Sequence, residues 1–316
     1  MGDIGGTNAR FALVNLDGGI DQVSVLACKD FDGLAEAYEH YCRQIGQYST
    51  RLAIAVASPV DREVIRFTNN HWSFSKSQIR KELGLDELLL VNDFTAQALA
   101  VPAVDPSSYQ VIQTGNTQSD SPILVIGPGT GLGVGGLIPC ADGEMIPIVG
   151  EGGHVTLSAT TEDEYDVLSY MKRSLPHVSA ERLVSGPGLL AIYEALCGLD
   201  DRVPEAHAPS DVSKIAEQDA TANKALELFA SFFGTVVSDA CLTMGAMGGV
   251  VLAGGVIPKL KQQFRVDVFL ERFNQKGRLS SYLQSVEIKI QLHPEAALLG
   301  LAQNSGTRSL KNYLVS

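Results

Sequence analysis

Asp3-Ile4-Gly5-Gly6-Thr7-Asn8 and Gly127-Pro128-Gly129-Thr130-Gly131-Leu132-Gly133 are the two stretches on which the reading of this chain turns. The second follows the apolar run Ile123-Leu124-Val125-Ile126 directly. Adjacent glycines let backbone N–H groups converge on an anion with no Cβ in the way. A threonine hydroxyl adds a donor at the same place. Two such loops in one chain predict a nucleotide gripped from two sides, and so phosphoryl transfer.

Composition sets the outer limits. A length of 316 residues predicts two domains or one large one. The hydrophobic share of 45% is ample for packed cores. Lys and Arg total 24 against 36 Asp and Glu, giving a net charge of −12. An acidic chain without a basic cluster argues against nucleic acid or an anionic membrane as partner, while leaving room for a nucleotide in a local field. No apolar run reaches the roughly 18 residues of a membrane span. The five cysteines (Cys28, Cys42, Cys140, Cys197, Cys241) are scattered without zinc spacing. They are read as free thiols, and the compartment as cytoplasmic.

Strands are expected at Phe11–Leu16, Val23–Cys28, Leu52–Ala57, Val64–Phe67 and Leu88–Val91, with a helix over Gly33–Gln44 burying Leu34, Ala37, Tyr38 and Tyr41. This is a mixed α/β layout. The proline-containing stretch Val101–Ser108 is the candidate hinge. Beyond it, strands are expected at Ile123–Ile126, Val134–Ile138, Ile146–Val149 and Val286–Leu292. Thr161-Glu162-Asp163-Glu164 has capping-box spacing before a helix running to Leu175. Ala222–Met247 reads as a core helix broken near Gly245, and Glu295–Asn304 as a terminal helix. The recurrence of strand then glycine-threonine loop hints at an internal duplication.

Several motifs carry chemistry beside a plainer alternative. A carboxylate at a phosphate cradle repels the anion unless a cation lies between, so Asp3 is assigned a water-mediated Mg²⁺ contact. Arg10 is either a strand-surface residue, the preferred reading, or a group that helps position this loop. Gly131–Gly136 satisfies the dinucleotide pattern but leads into a strand, where that fingerprint must open a helix. Asn92-Asp93 closes an apolar strand, where ligands bind in open α/β sheets. Asp93 equally suits the cap of a helix starting near Thr95. Glu151-Gly152-Gly153-His154 brings an acid and an imidazole to one locus. Ser185-Gly186-Pro187-Gly188 is a helix start. Ala253-Gly254-Gly255 is either a plain turn or a close approach to a planar ligand such as adenine.

Taken in order, these elements resemble the bacterial glucokinases of the zinc-free group, within the superfamily of hexokinase, actin and the heat-shock chaperone ATPases. The carrying strings are GDIGGTNAR (2–10), TNNHWSFS (68–75), VNDFTA (91–96), GPGTGLG (127–133), GEGGH (150–154), SAERLVSGPGL (179–189) and LAGG (252–255). The resemblance implies a two-domain actin-like ATPase (ribonuclease H-like) fold with a cleft between the domains. The small domain would be 1–103 plus 294–316 and the large one 104–293. It implies glucose on Asn92, Asp93, Glu151, His154 and Glu181, with Asp93 as catalytic base. It places the phosphates of ATP on Gly5, Gly6, Thr7, Asn8, Thr130 and Gly131, and the adenosine on Gly254 and Gly255. A homodimer is the family expectation. No C-x-C-G-x-x-G-C string links the chain to the zinc-containing sugar kinases and repressors.

The expected reaction is ATP plus glucose giving ADP and glucose 6-phosphate, with Mg²⁺ on the phosphates and domain closure excluding water. The alternatives are a kinase for another hexose or another phosphoryl donor, and a non-catalytic sugar sensor. The family's first strand precedes the Asp-x-Gly-Gly-Thr loop, and only Met1 and Gly2 precede Asp3 here. The expectation is a first strand cut to a stub, or a start placed too late, and a small domain less stable for it.

Overall fold

The computed structural model describes residues 1–15, 18–67 and 70–315. Leu16, at the end of the first expected strand, and Thr68 and Asn69 of the TNNHWSFS segment lie outside the described residues. The chain divides into two compact units. The first comprises 1–108, 136–149 and 293–316, and the second 109–135 and 150–292. This differs from the expected division in one substantial respect: 136–149 goes with the first unit. A hairpin tip accounts for it, since the Ser309 N–H donates to the Glu144 carboxylate at 2.8 Å.

Along the chain run β1 (Gly2–Ile4), β2 (Asn8–Val14), β3 (Ile20–Ala27), α1 (Leu34–Ile45), β4 (Arg51–Val56), β5 (Val64–Arg66), β6 (Ser73–Ser75), α2 (Lys76–Glu82), β7 (Glu87–Asn92) and α3 (Asp93–Leu99). Then follow β8 (Tyr109–Gln113), β9 (Ile123–Pro128), β10 (Leu132–Pro139), β11 (Met145–Gly150), α4 (Glu162–Met171), α5 (Ala180–Leu183), α6 (Gly186–Leu199), α7 (Pro209–Ile215) and α8 (Ala220–Met244). The chain ends with β12 (Val250–Leu252), α9 (Val256–Leu260), α10 (Val266–Asn274), α11 (Ser280–Gln284), β13 (Ile288–Gln291) and α12 (Ala296–Asn304).

One sheet has the order β3-β2-β1-β4-β7, the other β11-β10-β9-β12-β13-β8. Apart from β8 the two orders match strand for strand. In each, an edge hairpin is followed by parallel neighbours: β1, β4 and β7 in one, β9, β12 and β13 in the other. The duplication hinted at by the repeated loops is thus present in the topology.

Local sequence explains the elements. Helix α1 buries Leu34, Ala37, Tyr38 and Tyr41 on one face and stops at Gly46, whose φ of 69° is the left-handed cap that glycine accepts. In α4 the capping box forms as read, but the helix ends at Met171 and residues 172–174 make a turn short of Leu175. Helix α8 is long and apolar enough to cross a membrane, yet 78% of its most apolar window is buried inside the unit. It is a core helix, capped by Asp219 and ended by Gly245 at φ 63°. Each unit has its own apolar core, one around Ile4, Phe11, Ile54 and Trp72, the other around Phe229, Phe233, Phe269 and Tyr193.

Strand β1 is short but central, paired antiparallel to β2 and parallel to β4. The Met1 amino group donates to the Ala12 carbonyl at 2.8 Å. A cavity of about 330 Å³ lies beside Met1, bordered by Leu13 and Val14 of β2 and by Arg51 and Leu52 of β4.

Candidate active site

In the first unit, the register places Ile4, Val56 and Asn92 in one row across β1, β4 and β7. These strands are parallel, so the Gly5–Thr7 turn and the Asn92-Asp93 pair both leave the sheet at its carboxyl edge. They are two strand spacings apart, roughly 10 Å. That edge is where α/β sheets bind ligands.

The Gly5–Thr7 turn links β1 to β2 with one internal bond, Gly5 N–H to the Asn8 carbonyl at 2.9 Å. It is held from below by its main chain. Cys28 N–H donates to the Thr7 carbonyl at 2.9 Å, and the Asn70 side-chain amide donates to the Gly5 carbonyl at 3.2 Å. Asn70 was not among the assigned site residues; the family-like segment around it was the only signal. The Thr7 side chain faces solvent. Arg10 is partly exposed on its strand, and its guanidinium lies 3.3 Å from the Asp3 carboxylate, which favours the second of its two readings, a group that helps position the loop. Burial pushes the Asp3 carboxyl above its usual range, and Arg10 opposes that rise.

Asn92 takes the capping role that the sequence offered to Asp93. Its side-chain oxygen accepts from Phe94 N–H at 2.9 Å, and Asp93 is the first helical residue of α3. An Asp93 oxygen accepts from the same N–H at 2.9 Å. The carboxylate therefore sits at the N-terminal end of α3. Helix α3 is seated against α12 at Gly300, where an added Cβ would come within 2.2 Å of the Ala96 carbonyl oxygen.

In the second unit the corresponding row is Ile126, Leu252 and Ile290 across the parallel strands β9, β12 and β13. The Gly129–Gly131 turn joins β9 to β10, closed by Gly129 N–H to the Gly131 carbonyl at 2.7 Å. Gly131–Gly136 runs into strand β10 and opens no helix, which removes the dinucleotide reading.

This second loop is the hub of the unit's polar residues. Ala253 N–H donates to the Ile126 carbonyl, and a Cβ on Gly127 would lie 1.7 Å from the Ala253 oxygen. Gly254, at φ 82°, packs on the Pro128 carbonyl. Gly186, which opens α6, donates to the Gly129 carbonyl at 2.9 Å. Leu132 is met from both sides. Its carbonyl lies against Gly153, where a Cβ would come within 2.1 Å, and its N–H donates to Glu181 Oε2 at 2.9 Å.

Glu151 and His154 flank a single 3-10 turn, Gly152–His154, and His154 Nε2 lies 3.7 Å from Glu151 Oε2. Both side chains are more than half exposed. The chain after the turn pairs with the chain before α5: Ala180 N–H donates to the Val155 carbonyl, and Leu157 N–H to that of Val178. Glu151, His154 and Glu181 therefore share one backbone frame, and Gly254 and Gly255 stand on the same hub. Among the described residues no group of three or more His, Cys, Asp or Glu forms a metal cage.

The glucokinase family model matches residues 1–306 of this chain. The chain belongs to the glucokinase family. A glucokinase of Aromatoleum aromaticum is 42% identical over 307 residues, covering 96% of this chain and 92% of its own length. Among solved structures, a glucokinase from an Antarctic psychrotroph superimposes with a TM-score of 0.82 at 30% identity, covering 97% of this chain and 98% of its own. A Balamuthia mandrillaris glucokinase solved with glucose has a TM-score of 0.81 at 21% identity, over 96% of this chain and 91% of its own, and shows the shared fold. The fold is the two-domain actin-like ATPase fold of glucokinases and related sugar kinases.

Proposed function

We propose that this glucokinase-family chain carries out its family's reaction, the ATP-dependent phosphorylation of glucose to glucose 6-phosphate. The observation that carries the reading is the pair of strand–turn–strand cradles at the carboxyl edges of two like sheets, each with acids or amides beside it. Asp93 is the base that takes the proton of the 6-hydroxyl, supported by its place at the head of α3. Asn92, Glu151, His154 and Glu181 hold the remaining hydroxyls, since carboxylates accept strong charge-assisted bonds from O–H groups. Gly6, Thr7, Asn8, Thr130 and Gly131 offer N–H and hydroxyl donors to the phosphates, and Gly5, whose own N–H is taken by the Asn8 carbonyl, keeps the approach free of a Cβ. Gly254 and Gly255 give adenine a side free of Cβ atoms.

Magnesium fits as an ion carried by the nucleotide. One recessed carboxylate, Asp3, is at hand beside the first turn, which matches an ion held mainly by phosphates and water. When bound it neutralises charge on the transferring phosphoryl group. Five free cysteines, four of them buried, support a reducing compartment, which we read as the cytoplasm. A homodimer is part of the same reading, on family resemblance.

The experiment is a coupled assay of ADP release with ATP against glucose, mannose, fructose and galactose. Glucose should lead, and galactose should be a very poor substrate, because a site built on hydroxyl partners can reject an epimer by roughly 10⁴. Equal kcat/KM for glucose and galactose would refute the sugar-site assignment.

A further inference from the structure

The Glu181 carboxylate has two faces. Its Oε2 accepts from Leu132 N–H at 2.9 Å, at the point where the Gly129–Gly131 turn enters β10. Its Oε1 has no hydrogen-bond partner among the described residues. The Glu181 residue is only partly buried. Gly131 is the residue that makes room, since a Cβ there would lie 2.3 Å from Oε2. Nothing else in the side-chain bonding of the second unit joins a proposed sugar residue directly to the phosphate turn.

We propose that Glu181 is a positioning residue that couples the sugar to the nucleotide: Oε2 fixes the Thr130–Gly131 turn through Leu132, and Oε1 takes a sugar hydroxyl. This rests on the assignment of Glu181 to the sugar made above. A hydroxyl on Oε1 immobilises the carboxylate, and the fixed carboxylate holds the turn in the shape that meets phosphate. Coupling between bound ligands is reciprocal, so nucleotide tightens sugar by the factor with which sugar tightens nucleotide.

The test is calorimetric titration of ADP with Mg²⁺ into the full chain, with and without saturating glucose, and of glucose alone. In the unaltered protein glucose should tighten ADP about fivefold or more. In Glu181→Ala, ADP binding without sugar should weaken about tenfold, the loss expected of one charge-assisted bond, and the coupling should fall to near one. Gly131→Ala keeps the carboxylate but displaces it, and should weaken ADP similarly. Glu181→Gln, whose amide oxygen still accepts from Leu132, should lose less than threefold for ADP while losing glucose affinity. Should Glu181→Ala fail to fold, the Leu132 amide serves instead: its hydrogen exchange in the unaltered protein should slow when glucose is added. Unchanged ADP affinity in Glu181→Ala overturns the proposal and leaves the sugar role standing. Weakened ADP with unchanged glucose affinity overturns both the coupling and the sugar role. A Leu132 amide indifferent to glucose likewise overturns the proposal.

Discussion

The two glycine-threonine turns look alike in sequence and are built alike in topology, yet the space around their glycines differs. In the second unit the requirement is internal. Gly127 is pressed on Ala253, Gly131 on Glu181, Gly153 on Leu132 and Gly254 on Pro128, each within 2.6 Å of where a Cβ would stand. In the first unit a Cβ on Gly5 would meet only the Asn8 carbonyl, at an ordinary 3.5 Å. Nothing among the described residues forbids alanine there. That space leaves the backbone at Gly5 approachable, as the proposed phosphate contact requires. The second turn is hemmed in at Gly127 by backbone and at Gly131 by the Glu181 side chain, though a Cβ on Gly129 would meet nothing within 4 Å, while the first turn has open space at Gly5.

The largest effect that separates them is expected at Gly127. Gly127→Ala drives a Cβ into backbone, where no side chain can give way, and should cost more than about 3 kcal/mol. The protein should melt many degrees lower or fail to accumulate as soluble material. A melting temperature within two degrees of the parent would end the packing explanation. Next comes Asp93→Ala, which should leave the melt nearly unchanged and cut kcat by ~10²–10⁴. Retention of more than about a tenth of kcat would remove Asp93 from the role of base.

Gly5→Ala sharpens the contrast most directly. The melt should move by less than about 1 kcal/mol, the range of a tolerated glycine-to-alanine change. The KM for ATP should nonetheless rise about tenfold, because the added Cβ stands where a phosphate would approach the backbone. A destabilised protein with normal KM would reverse the roles of the two turns.

The smallest effect is set by helix caps. Helix α3 is capped by the neutral Asn92 and α8 by Asp219. Desolvation pushes the Asp219 carboxyl up, but hydrogen bonds from Arg202, Tyr193, Thr221 N–H and Ala222 N–H outweigh it and hold the pKa at about 2. A carboxyl depressed on folding stabilises above its unfolded value of 3.8 and loses that contribution as pH falls through about 2. Asp219→Asn keeps a capping oxygen but removes the charge that meets Arg202, so it should cost ~1 kcal/mol at pH 7, with the gap closing between about pH 4 and pH 2. A gap independent of pH over that window would show that charge has no part in the cap.

The sequence by itself was enough for the two turns, the α1 face, the capping box of α4, the start of α6 at Ser185-Gly186-Pro187 and the glycine end of α8. Each rests on residues within one or two turns of chain: periodicity, a cap, or a backbone angle that only glycine accepts readily. The family followed from the joint order of seven short strings. Tertiary structure decided what depends on neighbours distant in sequence. Asn92 rather than Asp93 caps α3, because the strand end orients Asn92 first. Arg10 turns to Asp3 because β1 and β2 pair them across the sheet, in the register Asp3 opposite Arg10. Asn70 under Gly5, the hairpin at 136–149 in the first unit, and Glu181 on Leu132 each join residues dozens of positions apart. Local pattern carries no trace of such contacts, since a hydrogen bond across a sheet or between loops leaves each partner's own neighbourhood unchanged.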